Sequence, residues 1–378
     1  MKLKVLYILH VSNMHGSTRS LLNLILNTSK NIIPVLLLPT CLDSDLKNIL
    51  DSNNIKYHES HFIVNSILPT IKKNWLEYGL RYVKLVLYKF LFLCEVIFVS
   101  FKYKPVIIHT NVGTIYEGYR ASKILHIPHI WHLREYQDKD FKWNFLYGKL
   151  NFEKKLNKSY VICITKDIQR YFNLLDNQKH FTIYNGILSR KSVDFRPKKK
   201  YFLIASRISP NKGQLDAIKA FAIYLKNNVD WKLIIAGDGD VFYIQKLREI
   251  SQKLQIGYAV DFIGFQNANR IFELMAESAA LIVPSQYEGF GRMTAEACYA
   301  GTTVIGRYTG GTKEILDSIV GYKFLSMDEL VNCMEEVGQI VNTKLYNSNI
   351  KKSQFIAQEL YSIEQNAEKI LELYKTIV

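Results

Sequence analysis

The chain has 378 residues, 48% of them hydrophobic and 22% charged, with a formal net charge of +15. This composition excludes a disordered tail protein and a fibrous repeat, and the length suffices for two domains that each bury a core. Five cysteines (Cys41, Cys94, Cys163, Cys298, Cys333) are scattered and never form C-x-x-C, so neither a disulfide framework nor a zinc site follows from their spacing.

The N-terminal MKLKVLYILHVSN is an apolar run of strand length without the core and cleavage site of a signal peptide. A cytoplasmic protein with reduced thiols is expected. Short β-rich runs then recur at 4–10, 32–39, 105–111, 128–133, 160–165 and 180–186, with helical-period stretches between them, such as 17–28 and 140–157.

The most apolar stretch, LVLYKFLFLCEVIFVSF (85–101), carries Lys89 and Glu95. It falls short of the ~20 mostly apolar residues of a bilayer span, so a buried or interfacial helix is expected. Around it, segment 61–104 mixes ten Phe, Tyr and Trp with seven Lys/Arg and two Glu. Lys73, Glu77, Arg81, Lys84 and Tyr88 recur every three or four residues as a polar stripe. Such a helix suits a headgroup layer. It equally suits the cover of a sheet with one solvated stripe.

Charge is unevenly placed. Residues 1–185 hold 25 Lys/Arg and 13 Asp/Glu (+12), and residues 186–378 hold 24 and 21 (+3). A basic first half points to a polyanion: nucleic acid, an anionic membrane surface or a phosphorylated substrate. No zinc-finger spacing, basic heptad or RNP-like aromatic string supports nucleic acid.

ILSRKSVDFRPKKK (187–200), with six Lys/Arg and one Pro, reads as an interdomain linker. Alternation restarts at 201–207, 231–239, 259–265, 280–285 and 302–306. The final 361–378 should be an amphipathic helix packing back on the first domain. The expected fold is therefore α/β, with two Rossmann-like doubly wound domains (1–186 and 201–360) facing each other across a cleft. Ligands in such sheets sit beyond the carboxyl ends of the strands.

Two strings carry the chemistry. SRISPNKG (206–213) sets Arg207 and Lys212 five residues apart in a turn at a helix start, where free N–H groups and the helix dipole favour phosphate. VPSQYEGFGRMTAEACYAGTTVIG (283–306) sets Glu288 and Glu296 with seven residues between them. Gly289 and Gly291 allow close backbone approach to a ligand, and Gly301 reads as a helix C-cap. GGTKE (310–314) is a second glycine turn opening onto a helix.

With these strings, residues 201–315 resemble the donor-binding half of the family-four retaining glycosyltransferases of GT-B fold. S-R-I-S-P-N-K-G, A-G-D-G (236–239), I-G-F (263–265) and E-G-F-G-R-M-T-A-E-A-C-Y-A-G-T-T-V-I (288–305) occur in the family's order and spacing. Ser206 for Gly, Tyr299 for a small residue and Thr303 for Pro are departures that touch local packing. In the first half, HVSNMHGSTRSLLNLI (10–25) is similar to the family's glycine loop, IPHIWHLREYQDKDF (127–141) to its histidine loop and IYNGI (183–187) to the strand end before its linker.

The resemblance implies roles for particular residues. Arg207 and Lys212 would neutralise the donor's diphosphate as it leaves. Glu288 would sit by the transferred sugar, and Glu296 would bind the ribose hydroxyls. Phe265 would lie near the base, and the Phe290–Gly291 backbone, with Gly239, Gly289 and Gly16, near the sugar or phosphates. His132 would hydrogen-bond the sugar. Arg134 and Glu135 would face the acceptor.

The implied protein is an enzyme, a hexosyltransferase-type glycosyltransferase. It would use a UDP- or GDP-linked sugar as substrate, with no other cofactor and no metal. The acceptor would be a glycan, lipid-linked and made at the inner membrane face. The Lys-, Asn- and Ile-rich composition suggests an AT-rich, bacterial genome and hence surface polysaccharide synthesis. A catalytically silent GT-B subunit and a sugar-nucleotide epimerase are the competing readings. A phosphorylase would need a longer chain or a pyridoxal lysine.

Three D-x-D strings (Asp43 and Asp45, Asp138 and Asp140, Asp238 and Asp240) resemble metal-binding motifs of another glycosyltransferase fold. Asp43 reads instead as a helix N-cap and Asp238 as part of a strand-end turn, with Asp240 near a helix start. His10, His15, His109, His126, His129 and His132 show no zinc spacing, and His129 and His132 should face opposite sides of a strand. Cys298 reads as a packed thiol.

Overall fold

The computed structural model describes residues 2–14, 16–65, 67–69, 75–141, 143–174, 177–190 and 195–378. The chain forms two compact units, one of Met1–Gly186 with Ile363–Val378 and one of Ile187–Ser362.

The first unit runs β1 (Leu3–Ile8), α1 (Gly16–Asn27), β2 (Ile32–Pro39), α2 (Ser44–Ser52), β3 (Lys56–Ser60), β4 (Ile67–Pro69) and α3 (Trp75–Tyr103). It continues β5 (Ile107–Thr110), α4 (Glu117–Leu125), β6 (His129–Leu133), α5 (Asp138–Phe141), β7 (Trp143–Phe145) and α6 (Lys149–Leu156). β8 (Tyr160–Cys163), α7 (Lys166–Tyr171) and β9 (His180–Thr182) complete its sheet. Seven strands pair in the order β3-β2-β1-β5-β6-β8-β9, all parallel.

The near-continuous apolar runs of β1 and β2 follow from burial on both faces. Val5, Tyr7 and Leu36 pack under Leu21 and Ile25 of α1, while Leu6, Ile8 and Leu37 pack under Phe92, Val96 and Val99 of α3. Strand order reverses between β1 and β5, so the loops after these two strands flank the position where such sheets bind ligands.

The second unit runs β10 (Lys199–Ala205), α8 (Gln214–Tyr224), β11 (Lys232–Ala236), α9 (Val241–Lys253), β12 (Val260–Gly264), α10 (Ala268–Glu277) and β13 (Ser278–Val283). α11 (Arg292–Tyr299), β14 (Thr303–Arg307), α12 (Gly310–Leu316), β15 (Tyr322–Phe324), α13 (Met327–Ile340) and α14 (Lys344–Tyr361) follow. Its parallel sheet has the order β12-β11-β10-β13-β14-β15, with the reversal between β10 and β13. After α14 the chain breaks at Ser362 (ψ 151°) and ends in α15 (Ile363–Ile377), whose Ala367, Ile370 and Tyr374 enter the first unit's core.

Three expectations are corrected. The helix over 140–157 is interrupted by β7, which pairs antiparallel with β4. Gly148 then starts α6 at φ 79°, a value that a continuing helix excludes. The linker over 187–200 is largely built into the second unit. The Ile187 N–H donates to Tyr361 O (2.8 Å), Tyr299 Oη donates to Leu188 O (3.1 Å), and Lys198 is buried with its ammonium on Ala276 O and Gly301 O (2.6 Å each). Tyr299, a departure from the family pattern, thus fastens this segment. Within it, residues 191–194 lie outside the described residues. Finally, the terminal helix starts at Ile363 rather than at 361.

α3 resolves the two readings of its segment only in part. Phe92, Val96 and Val99 cover the sheet, and Lys89 goes inside, its Nζ 2.9 Å from Glu117 Oε1. Burial holds the Lys89 ammonium below its usual pKa, against the pull of Glu117. On the opposite side Leu80, Val83, Leu87, Phe90, Phe98 and Phe101 are exposed at helical spacing. Lys72 and Lys73 lie outside the described residues, and nothing is described of the side chains of Trp75, Glu77 and Tyr78. Among the described residues no helix is long and apolar enough to cross a membrane.

Candidate functional site

In the second unit, the loops after β10 and β13 meet at the strand-order reversal. Lys212 ends a one-turn 3-10 segment (Pro210–Lys212) after β10, and Glu288 follows β13. Lys212 Nζ donates to Glu288 Oε1 at 2.6 Å, with both side chains a little over a fifth exposed. Arg207 is exposed, and among the described residues its guanidinium has no hydrogen-bond or ion-pair partner. Buried Gln214, at the start of α8, fixes the turn by donating to Ser206 Oγ and Arg207 O (3.0 Å each).

Close backbone approach holds these loops together. Gly213 sits at φ 73°, and a Cβ there would lie 2.2 Å from Pro284 O. A Cβ on Gly311 would lie 2.4 Å from Phe290 O, and the Gly311 N–H donates to Glu288 O at 2.7 Å. The A-G-D-G turn is equally tight: Gly239 is bridged to Ile208, whose N–H donates to Asp238 O at 2.8 Å.

Gly291, with φ 86°, precedes α11, and Glu296 lies one turn on, its carboxylate 3.2 Å from Arg292 Nη2. Gly289 lies between Glu288 and Phe290 in the same loop. The Phe290 ring is buried, edge-on to Tyr361 at 5.6 Å, so of this residue the backbone, not the ring, remains for a ligand. Phe265, after β12, is 72% exposed. The Thr294 and Thr312 hydroxyls are buried beside Gly291 and have no partner among the described residues.

The first unit carries the remaining expected residues at its own strand-order reversal. Gly16 opens α1 after β1, and the next residue's carbonyl accepts from Asn111 Nδ2 at 3.3 Å. His132 on β6 is 1% exposed, with Nδ1 3.1 Å from His109 Nε2 and 3.4 Å from Arg134 Nη2. Among the described residues its Nε2 has no partner. Burial, then the Arg134 charge and His109, keeps the imidazole neutral by pushing its pKa well below the usual value. Arg134, expected toward an acceptor, is buried, and its guanidinium donates to Asn111 Oδ1 (2.8 and 3.0 Å) and Asn185 Oδ1 (2.7 Å). Glu135 is half-buried. His129 lies on the other face of β6, against Thr110 Oγ1 at 2.8 Å. His15 lies outside the described residues.

The D-x-D strings have local partners. Asp43 caps α2 through the Asp45 N–H (3.2 Å), Asp240 caps α9 through the Tyr243 N–H (2.8 Å), and Asp138 accepts from Tyr171 Oη. Nothing is described of the Asp140 side chain. Among the described residues no group of three or more His, Cys, Asp or Glu is arranged to hold a metal ion. Cys298 is buried, which pushes its thiol up to about 12.

Sequence reasoning missed the groups around His132, namely its partner His109, Tyr374 behind His109, and Asn111 and Asn185, which hold Arg134. Their strands and helix were visible, but their convergence depends on strand pairing and on α15 returning to the first unit.

Residues 187–328 match the family model described as glycosyl transferases group 1. Over 127 residues the chain is 32% identical to an uncharacterised glycosyltransferase of Methanocaldococcus jannaschii, across 34% of this chain and 32% of that protein. The lipopolysaccharide 1,2-N-acetylglucosaminetransferase of Salmonella typhimurium is 28% identical over 49% of this chain and 51% of its own length. The chain thus aligns with about a third to a half of these curated relatives. The crystal structure of Anabaena HepE in complex with UDP superposes on 100% of both chains, with a TM-score of 0.76 and 20% identity. Residues 187–328 of the second unit thus resemble the group 1 glycosyl transferases, and the fold is the two-domain α/β fold named GT-B.

The close approach at Gly213 yields a prediction. Gly213→Ala should destabilise by ~2 kcal/mol or more, because a left-handed φ costs ~1–2 kcal/mol before the clash is counted. Gly79→Ala, in a helix with nothing within 4 Å, should stabilise by ~1 kcal/mol. Urea unfolding midpoints measure both, and equal midpoints would refute the packing argument.

Proposed function

We propose that this chain is a retaining, metal-independent glycosyltransferase. It moves a hexosyl group from a UDP- or GDP-linked sugar to a glycan acceptor, lipid-linked, in bacterial surface polysaccharide synthesis. The observation that carries the reading is the pairing of Lys212 with Glu288 at the strand-order reversal, with the exposed Arg207 on the same loop as Lys212. The Salmonella relative's lipopolysaccharide activity supports the polysaccharide setting, and the UDP bound to HepE supports a nucleotide-linked donor.

In this reading Arg207 and Lys212 stabilise the charge that develops on the departing diphosphate. Preorganised cations serve there at no cost in reorganisation. Glu288 holds the Lys212 ammonium and presents its other carboxylate oxygen to the transferred sugar. Glu296, oriented by Arg292, accepts from the ribose hydroxyls. Phe265 covers the base, and the Gly289–Gly291 backbone approaches the sugar and phosphates, with Gly239 and Gly16 lining the remaining loops. His132 donates from Nε2 to a sugar hydroxyl. Glu135 keeps the acceptor role, and Arg134 supports His132. The Arg207 and Lys212 cations supply the charge that a metal ion would otherwise bring.

Arg207→Ala and Lys212→Ala should each cut turnover by ~10² or more, while EDTA leaves wild-type turnover intact. Near-normal turnover in both variants would reject the phosphate site. Loss with EDTA, restored by Mn²⁺, would reject metal independence.

The exposed apolar side of α3, with Arg81 and Lys84 among its residues, supports an anionic membrane surface as a partner. Each nearby cation contributes ~1 kcal/mol there at low salt. Vesicles with anionic lipid should sediment the protein, and Arg81→Glu with Lys84→Glu should weaken this without changing nucleotide binding. Duplex DNA bound tightly at physiological salt, with vesicles ignored, would overturn the assignment.

A further inference from the structure

Four buried groups form a chain of hydrogen bonds through the first unit. Tyr7 Oη lies 3.2 Å from Tyr374 Oη, which lies 2.6 Å from His109 Nδ1. His109 Nε2 lies 3.1 Å from His132 Nδ1, and Arg134 Nη2 approaches the same Nδ1 at 3.4 Å. Each of the four is at most 1% exposed.

The proton positions follow from chemistry. A guanidinium only donates, so His132 Nδ1 is an acceptor. Facing that lone pair, His109 Nε2 must carry a proton. Burial, then the Arg134 charge, keeps His109 neutral, its pKa well below the usual value. His109 Nδ1 is therefore bare and accepts from the Tyr374 hydroxyl. Tyr374 in turn accepts from Tyr7. His132, also neutral, is left with its proton on Nε2, the nitrogen without a partner.

Taking the glycosyltransferase reading as given, we infer that His109 on β5 and Tyr374 on α15 are positioning residues. They hold His132 in its Nε2–H tautomer, so that His132 serves as a hydrogen-bond donor to a hydroxyl-bearing ligand and not as a base. With Nδ1 occupied by two donors and Nε2 already protonated, His132 has no free lone pair with which to take a proton. The last helix, distant in sequence, thereby sets the chemistry of a β6 side chain.

Long-range proton–nitrogen correlation spectra of the full chain, labelled with ¹⁵N-histidine, test the inference. Wild type should show His132 and His109 both neutral, with Nε2 protonated and Nδ1 bare. His109→Phe removes the 3.1 Å contact and leaves Nδ1 only the longer 3.4 Å approach of Arg134, so it should populate the Nδ1–H tautomer of His132 beside the Nε2–H form and lower kcat about tenfold, the worth of one hydrogen bond, with KM for the donor unchanged. His109→Gln, whose amide N–H replaces the Nε2–H, should restore the His132 spectrum and most of kcat. The milder Tyr374→Phe should shift the His109 Nδ1 resonance while circular dichroism stays that of wild type. A wild-type His132 protonated on Nδ1, or an unchanged His132 spectrum in His109→Phe, would overturn the inference. Because the spectrum needs no substrate, failure to turn over any nucleotide sugar would reject the glycosyltransferase reading alone.

Discussion

The 2.6 Å pair of Lys212 and Glu288 joins the two loops that flank the strand-order reversal of the second sheet. It is partly exposed, so its contribution to stability is modest. Its importance is geometric. A lysine ammonium on four rotatable bonds carries ~2 kcal/mol of rotamer entropy, and Glu288 holds it in place before any anion arrives. That arrangement depends on the two loops approaching within backbone contact, which Gly213 permits against Pro284, while Gly311 lets the start of α12 approach Phe290 in the second of them. The glycines set the loops, the loops set the ion pair, and the ion pair orients the cation.

The first unit solves a different problem at its own reversal. Four aromatic or imidazole side chains and an arginine are fully or nearly buried there, where an unpaired polar atom costs ~1–3 kcal/mol. The network satisfies every nitrogen and hydroxyl from Tyr7 to His132 Nδ1 and leaves His132 Nε2 as the exception. Buried polar groups without partners concentrate where a structure serves something besides its own stability. The two reversals thus differ in chemistry: the first unit carries a neutral N–H donor and the second carries cations.

The sequence made the central strands legible because strands buried on both faces read as apolar runs, as in β1, β2, β10 and β13. It did not reveal β3 (KYHES) or β15 (YKF), edge strands that are short and polar. The glycine and charge spacings of 206–213 and 288–305 located the loop pair, since those residues are close in sequence to the elements that hold them. Phe290 was legible only as backbone, because its ring turns inward onto Tyr361. The segment 187–200 looked like a linker through its charges. Yet Lys198 is buried on carbonyls that only the folded second unit brings together. The His132 network was illegible for the same reason: its members lie on β1, β5, β6 and α15.

The account turns on whether the second unit recognises a diphosphate through Lys212. The most direct measurement is thermal stabilisation by UDP and GDP beside UMP and GMP, with EDTA present. A ligand at 100 times its dissociation constant stabilises by ~2.7 kcal/mol. The account predicts that one diphosphate raises the melting temperature clearly more than its monophosphate, and that Lys212→Ala erases the difference. Equal shifts for mono- and diphosphates, or no shift with any of the four nucleotides, would contradict it.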